Sequence, residues 1–201
     1  FSMVPMNLLE KKAAYLNTGE WAGKALKEAK LFGETVEVAS SKDKNFNYIP
    51  KNYTVPADAD YFHITTNNTI FGTEIKKDLD VKVPLVADMS SDIFSRPVDI
   101  SKYALIYGGA QKNLGPAGVA LVIIRKDLTE RAGPNVPAML KYTTYVEENS
   151  LYNTPPCFAI YLIALVTRWI RTVGPETLYR RNRDKAAKLY AAIDGSGFYR
   201  G

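Results

Sequence analysis

The sequence predicts an α/β domain: a mixed, mostly parallel sheet lying between helices. Two observations carry this. Five short runs rich in β-branched and aromatic residues, TVEVA (35–39), YFHIT (61–65), PLVAD (84–88), ALIY (104–107) and VALVII (119–124), stand between Gly, Pro, Asp and Asn residues that punctuate strands. Several are apolar on both faces, the pattern of strands buried between helical layers.

The remaining segments read as helices. Residues 7–30 read as helical, with a break at NTG (17–19), where Asn17 or Thr18 caps a second helix carrying EWAGKALKEAKLFG. FAIYLIALVTRWIRTV (158–173) and ETLYRRNRDKAAKLYAAID (176–194) read as two more, separated by Gly174-Pro175, and the first of them reads as a buried helix. There is no internal repeat and no low-complexity tract.

Composition narrows the class. With 201 residues, 46% hydrophobic and 23% charged, the chain can bury a globular core. Its single cysteine, Cys157, cannot close an internal disulfide, so a reducing cytoplasm is the default compartment. No run reaches the roughly 20 apolar residues of a membrane span, because Thr167 and Arg168 interrupt CFAIYLIALVTRWI, and no leader pattern opens the chain. The net charge of +5 peaks at RRNRDKAAK (180–188), but Asp184 breaks the run and no nucleic-acid motif accompanies it, so it reads as a solvated helix face. The excess charge suits an anionic small-molecule ligand equally well.

Chemistry concentrates in IYGGAQKNLGPAG (106–118). Lys112 lies five residues past the strand ALIY, at the carboxyl end where ligands bind in such sheets. Glycines on both sides let the backbone approach a bulky planar group, and a lysine with some neutral amine can bond a carbonyl carbon. VPLVADMSS delivers Asp88 to the end of another strand; alone it would serve equally as a turn former or helix cap. Together the pair matches what pyridoxal phosphate requires: a lysine for its aldehyde and a carboxylate that keeps its ring nitrogen protonated.

VADMSSDIFSRPVDISKYALIYGGAQKNLGPAGVALVIIRKDL (86–128) and NTPPCFAIYL (153–162) resemble the phosphoserine aminotransferase family, class V, fold-type-I pyridoxal-phosphate enzymes, and the likeness runs from VPMNLL to GFYRG. The resemblance implies roles residue by residue. Lys112 matches the lysine that bonds the cofactor and shuttles the substrate proton, Asp88 the partner of the pyridine nitrogen, and Gln111 a further cofactor contact. Trp21 matches the aromatic that stacks on the pyridine ring, and Thr69 a hydroxyl contact. Chemistry alone would leave Thr65, Thr66 and Asn68 as rivals of Thr69. Asn153 and Thr154 match a pair that reaches the cofactor phosphate of the neighbouring subunit, which implies a homodimer.

The same resemblance implies a longer enzyme. Upstream it expects a glycine-rich phosphate-binding segment, and downstream a smaller α/β domain with a His-Arg pair for substrate. Residues 1–201 are then a partial large, cofactor-binding domain without the C-terminal small domain. The implied reaction moves an amino group between L-glutamate and 3-phosphohydroxypyruvate, giving O-phospho-L-serine and 2-oxoglutarate, with a related phosphorylated 2-oxo acid used in pyridoxine synthesis. The alternatives are another class V enzyme, such as a cysteine desulfurase, or a truncated chain that serves as a non-catalytic folded domain. Cys157 opens an apolar helix rather than a mobile loop, which argues against the desulfurase, and reads as core. His63 has no metal-ligand spacing and reads as structural.

Overall fold

The computed structural model describes residues 1–199; the last two residues of the GFYRG match lie outside them. A six-stranded sheet forms the centre, built from β1 (Lys12–Asn17), β2 (Glu34–Ser40), β3 (Tyr61–Thr65), β6 (Leu85–Asp88), β7 (Leu105–Gly109) and β8 (Ala120–Ile124). Its order is β2-β1-β3-β6-β7-β8. All neighbours are parallel except β7 and β8, which form an antiparallel hairpin. A separate two-stranded ribbon joins β4 (Asn67–Asn68) to β5 (Thr73–Glu74). The helices are α1 (Met3–Leu8), α2 (Glu20–Ala29), α3 (Tyr142–Glu147), α4 (Cys157–Val173) and α5 (Pro175–Asp194).

The fold class is the expected one, and the five expected strands all form. Of the two helical stretches expected on either side of the NTG break, the second forms as α2, with Gly19 and not Asn17 or Thr18 at its N-cap, whereas in the first KAAYLN is strand β1, with α1 before it. The reason is burial on both faces. Ala13 and Tyr15 pack into the cluster under α1 and α2, whereas Ala14 and Leu16 join the cluster on the opposite face. A four-residue apolar run buried all round has no periodicity to tell helix from strand. The strand start is fixed by Asp60, whose Oδ2 accepts from the successive N–H groups of Glu10, Lys11 and Lys12 at 2.8, 2.6 and 3.0 Å.

Alternate residues of each strand feed two cores. Ala14, Leu16, Phe62, Ile64, Leu85, Ala87 and Ile106 form one face, and Ala13, Tyr15, Tyr61, Val86 and Leu105 the other. Full burial of each large side chain stabilises by about 1.5–3 kcal/mol. The second face is covered by Val4 and Leu8 of α1 and by Ala25, Leu26 and Ala29 of α2.

Helix α4 departs from its expected burial. Only Ala159 and Ile170 are buried, while Phe158, Tyr161 and Trp169 are 72, 58 and 54% exposed. Cys157 is likewise exposed, not core. High hydrophobicity signals that a helix face will be covered but not by what; in this structure only Ile163 packs against the sheet cluster. Helix α5, which carries RRNRDKAAK, has no buried residue. Among the described residues no single helix is long and apolar enough to cross a membrane.

His63 is structural, as expected. Its ring stacks on Tyr15 at 4.9 Å between centroids, and Nε2 lies 3.0 Å from the Tyr107 hydroxyl. Burial pushes its pKa from 6.5 down to about 3. The unfolded chain therefore binds a proton below pH 6.5 that the folded chain refuses, so this residue's contribution is intact above pH 6.5 and is lost as pH falls toward 3, by about 1.4 kcal/mol per pH unit. Asp92 acts in the opposite sense. Burial raises its pKa from 3.8 to about 6, so it favours the folded state at low pH and that support disappears as pH rises through about 6. Urea unfolding midpoints measured from pH 7 down to 4 are expected to fall more gently in His63→Gln than in the parent, and more steeply in Asp92→Asn.

Candidate active site

Four adjacent parallel strands aim their carboxyl ends at one rim, and each delivers one candidate residue. The register places Thr65 of β3, Asp88 of β6 and Tyr107 of β7 in a single row. Trp21 follows β1 by four residues, Thr69 follows β3 by four, Asp88 ends β6, and Lys112 follows β7 by three. The connection order reverses between β1 and β3, since β1 leads outward to β2 whereas β3 begins the run to β8. Open α/β sheets bind ligands at such a reversal.

Lys112 sits in the wide loop of the β7–β8 hairpin. The loop is closed by the Ala110 N–H donating to Val119 O at 2.9 Å and anchored by the buried side chain of Leu114. Gly118 turns the chain at φ +102°, a conformation that side-chain-bearing residues rarely adopt. The loop presents Lys112 to solvent, where Nζ donates to Thr69 Oγ1 at 3.2 Å. The same Nζ lies over the Trp21 ring, 5.5 Å from its centroid. Thus Lys112, Thr69 and Trp21, from three different strand ends, meet.

Trp21 is half-buried in the first turn of α2, with Lys24 Nζ 4.6 Å from its ring centroid. Its indole N–H is buried and has no hydrogen-bond acceptor among the described residues. Asp88 is only 6% exposed. Its Oδ1 accepts from the N–H and hydroxyl of Ser90 at 2.9 and 2.7 Å, and no donor among the described residues holds Oδ2. One carboxylate oxygen is therefore fixed and the other is available. Asp88 is at once the turn former and the candidate site residue that its position suggested.

Gln111 folds back over the strand end: its Oε1 lies 2.5 Å from where a Cβ on Gly109 would be. A side chain at 109 would displace the end of the Gln111 side chain. Among the rivals of Thr69, Thr66 and Asn68 are buried and committed, Thr66 to the Asp88 carbonyl and the Asp92 carboxylate, Asn68 to Thr18 and Thr73. Thr65 is buried as well, its hydroxyl without a hydrogen bond. Thr69 alone of the four bonds Lys112.

Asn153 and Thr154 are exposed before α4, and among the described residues no hydrogen bond joins them to the Lys112 group. Sequence reasoning overlooked Ser90, which holds Asp88; the Asp-x-Ser spacing of a turn in DMSS was the available signal. A cleft of about 920 Å³ opens beside Thr69, lined by Asn67, Asp92, Asn113 and, from α5, Tyr179 and Arg183.

An amine, a flat indole and a hydroxyl meet at one sheet rim, one strand away from an uncommitted carboxylate oxygen. The family model Aminotransferase class-V matches residues 1–201, and the chain belongs to that family. It is 59% identical to phosphoserine aminotransferase of Azobacteroides pseudotrichonymphae and 60% identical to that of Bacteroides thetaiotaomicron, over its whole length in both cases. Its fold superposes on phosphoserine aminotransferase from Bacillus circulans subsp. alkalophilus with a TM-score of 0.93, 49% identity, and coverage of 98% of this chain and 56% of that one. A pyridoxal-phosphate-bound phosphoserine aminotransferase from Trichomonas vaginalis gives a TM-score of 0.92 at 38% identity, covering 97% and 57%. The chain spans 56 and 57% of the length of the two bacterial relatives. These likenesses do not favour the desulfurase alternative.

Proposed function

We propose that this chain is the cofactor-binding part of a phosphoserine aminotransferase. It would take pyridoxal 5′-phosphate and move an amino group between L-glutamate and 3-phosphohydroxypyruvate, giving O-phospho-L-serine and 2-oxoglutarate. The observation that carries the reading is the meeting of Lys112 Nζ with the Trp21 ring and Thr69, one strand away from the uncommitted Oδ2 of Asp88. Bound pyridoxal phosphate supplies an electron-accepting ring that stabilises the charge left when the substrate Cα loses its proton.

The protein's own residues do the rest. Lys112 Nζ would hold the cofactor at its carbonyl carbon and, as a free amine, would carry a proton as general base and acid. Asp88 Oδ2 would keep the ring nitrogen protonated, because a buried carboxylate favours a cation beside it. Trp21 would offer its flat indole to the cofactor ring and exclude water there. Thr69 Oγ1 accepts from Lys112 and sets the direction of the amine. Gln111 adds an amide at the same rim.

Asn153 and Thr154 serve the neighbouring subunit's cofactor phosphate in a homodimer; their exposure and the stiff Pro155-Pro156 that follows support such a reach. A glycine-rich phosphate cradle and a small substrate-binding domain are expected in the full-length protein. A cytoplasmic setting suits the lone thiol, and use of a related phosphorylated 2-oxo acid in pyridoxine synthesis follows from the same family reading. The test is an assay of the full-length protein with L-glutamate and 3-phosphohydroxypyruvate. Formation of O-phospho-L-serine and 2-oxoglutarate in equal amounts is expected; amino transfer to unphosphorylated 2-oxo acids alone would overturn the assignment of substrate.

A further inference from the structure

Two of the strand ends that build the site are tied together by one hydroxyl. Ser90 Oγ donates to Asp88 Oδ1 at 2.7 Å and accepts from the Gly109 N–H at 3.1 Å. The Ser90 N–H donates to the same Oδ1 at 2.9 Å. Gly109 is the last residue of β7 and stands three residues before Lys112. A Cβ on Gly108 would come within 3.3 Å of Ser90 Cα, so the serine is also packed against the strand that leads to the lysine.

We propose that Ser90 is a positioning residue of the cofactor site. It sets the plane of the Asp88 carboxylate and fixes that carboxylate relative to the loop bearing Lys112. The inference rests on the pyridoxal-phosphate reading above. An aspartate's terminal torsion is broad, so a carboxylate at a strand end needs outside bonds to hold one orientation. Two donors from Ser90 converge on Oδ1 and leave Oδ2 uncommitted, the arrangement needed by a group that must present one oxygen to a protonated ring nitrogen.

The turn alone would need only the backbone N–H of Ser90. The hydroxyl does what no turn requires: it acts as donor to the carboxylate and acceptor from the neighbouring strand at once. A hydroxyl has both capacities; a methyl group has neither, and a thiol has both only weakly.

The experiment compares the full-length protein with Ser90→Ala, Ser90→Cys, Ser90→Thr and Lys112→Ala, reading pyridoxal-phosphate affinity, the pH midpoint of the visible band, and amide exchange at Gly109. Loss of a hydrogen bond to a charged group is expected to weaken binding about 10-fold or more in Ser90→Ala and Ser90→Cys and to shift the band's pH midpoint. Gly109 exchange is expected to quicken by about 10-fold in the same two variants. Ser90→Thr keeps the hydroxyl and is expected to stay close to the parent on all three readings. Parent-like affinity, midpoint and exchange in Ser90→Ala would overturn the positioning role while leaving the cofactor reading intact. A parent protein with no Lys112-dependent band would overturn the cofactor reading, and this inference with it.

Discussion

Alanine at position 112 is expected to abolish covalent attachment of pyridoxal phosphate and to reduce amino transfer by on the order of 10³-fold or more. The amine has two roles in the proposed chemistry, holding the carbonyl carbon and moving a proton, and the proton-moving role alone contributes about 10²–10⁴-fold. The fold should not notice. Lys112 is exposed and makes one side-chain hydrogen bond, to Thr69 at 3.2 Å, so its loss is expected to change stability by about 0.5 kcal/mol or less. Unfolding midpoints that coincide, beside activities that differ so widely, would separate chemistry from structure. A variant that keeps a tenth of parental activity would contradict the assignment.

Asp88→Asn is expected to produce the second largest effect, a fall in amino transfer on the order of 10²- to 10³-fold, as the buried charge pair it breaks is worth about 3–5 kcal/mol. Asparagine preserves shape, and its side-chain oxygen can still accept from the N–H and hydroxyl of Ser90. What it lacks is the negative charge that holds a proton on the ring nitrogen. The cofactor should therefore still attach to Lys112 while turnover drops. Parallel measurement of the visible band and of product formation checks this: a band lost together with activity would point to a structural role for Asp88 instead.

The sheet was legible because its strands differ in composition from everything around them. YFHIT is strand β3 residue for residue. PLVAD and ALIY were placed within one or two residues of β6 and β7 because Asp, Gly and Pro bound them. The failures share a physical cause. KAAYLN is short, apolar on both faces and rich in residues with no strong preference for strand over helix, so only its pairing with β2 and β3 decides its state. Helix α4 is apolar enough to be covered, but hydrophobicity carries no address, and the described residues leave Phe158, Tyr161 and Trp169 exposed.

The site was legible in a different way. Lys112 and Asp88 stood out from the chemistry of strand ends, whereas Trp21 and Thr69 rested on family resemblance. The structure brings Lys112, Thr69 and Trp21 together through contacts over 43 and 91 residues of sequence, separations that no local pattern encodes. Ser90 went unread for the opposite reason. A serine two residues after an aspartate is an ordinary turn, and only the cross-strand bond to Gly109 distinguishes it.

Whether Lys112 is the cofactor lysine decides the reading, and one measurement addresses it most directly. The protein is incubated with pyridoxal phosphate, reduced with borohydride, digested, and its labelled peptides are mapped by mass spectrometry. A single dominant label on Lys112, with none on the equivalent peptide of Lys112→Ala, is the expected result. Label spread evenly over the surface lysines, and unchanged by Lys112→Ala, would contradict it.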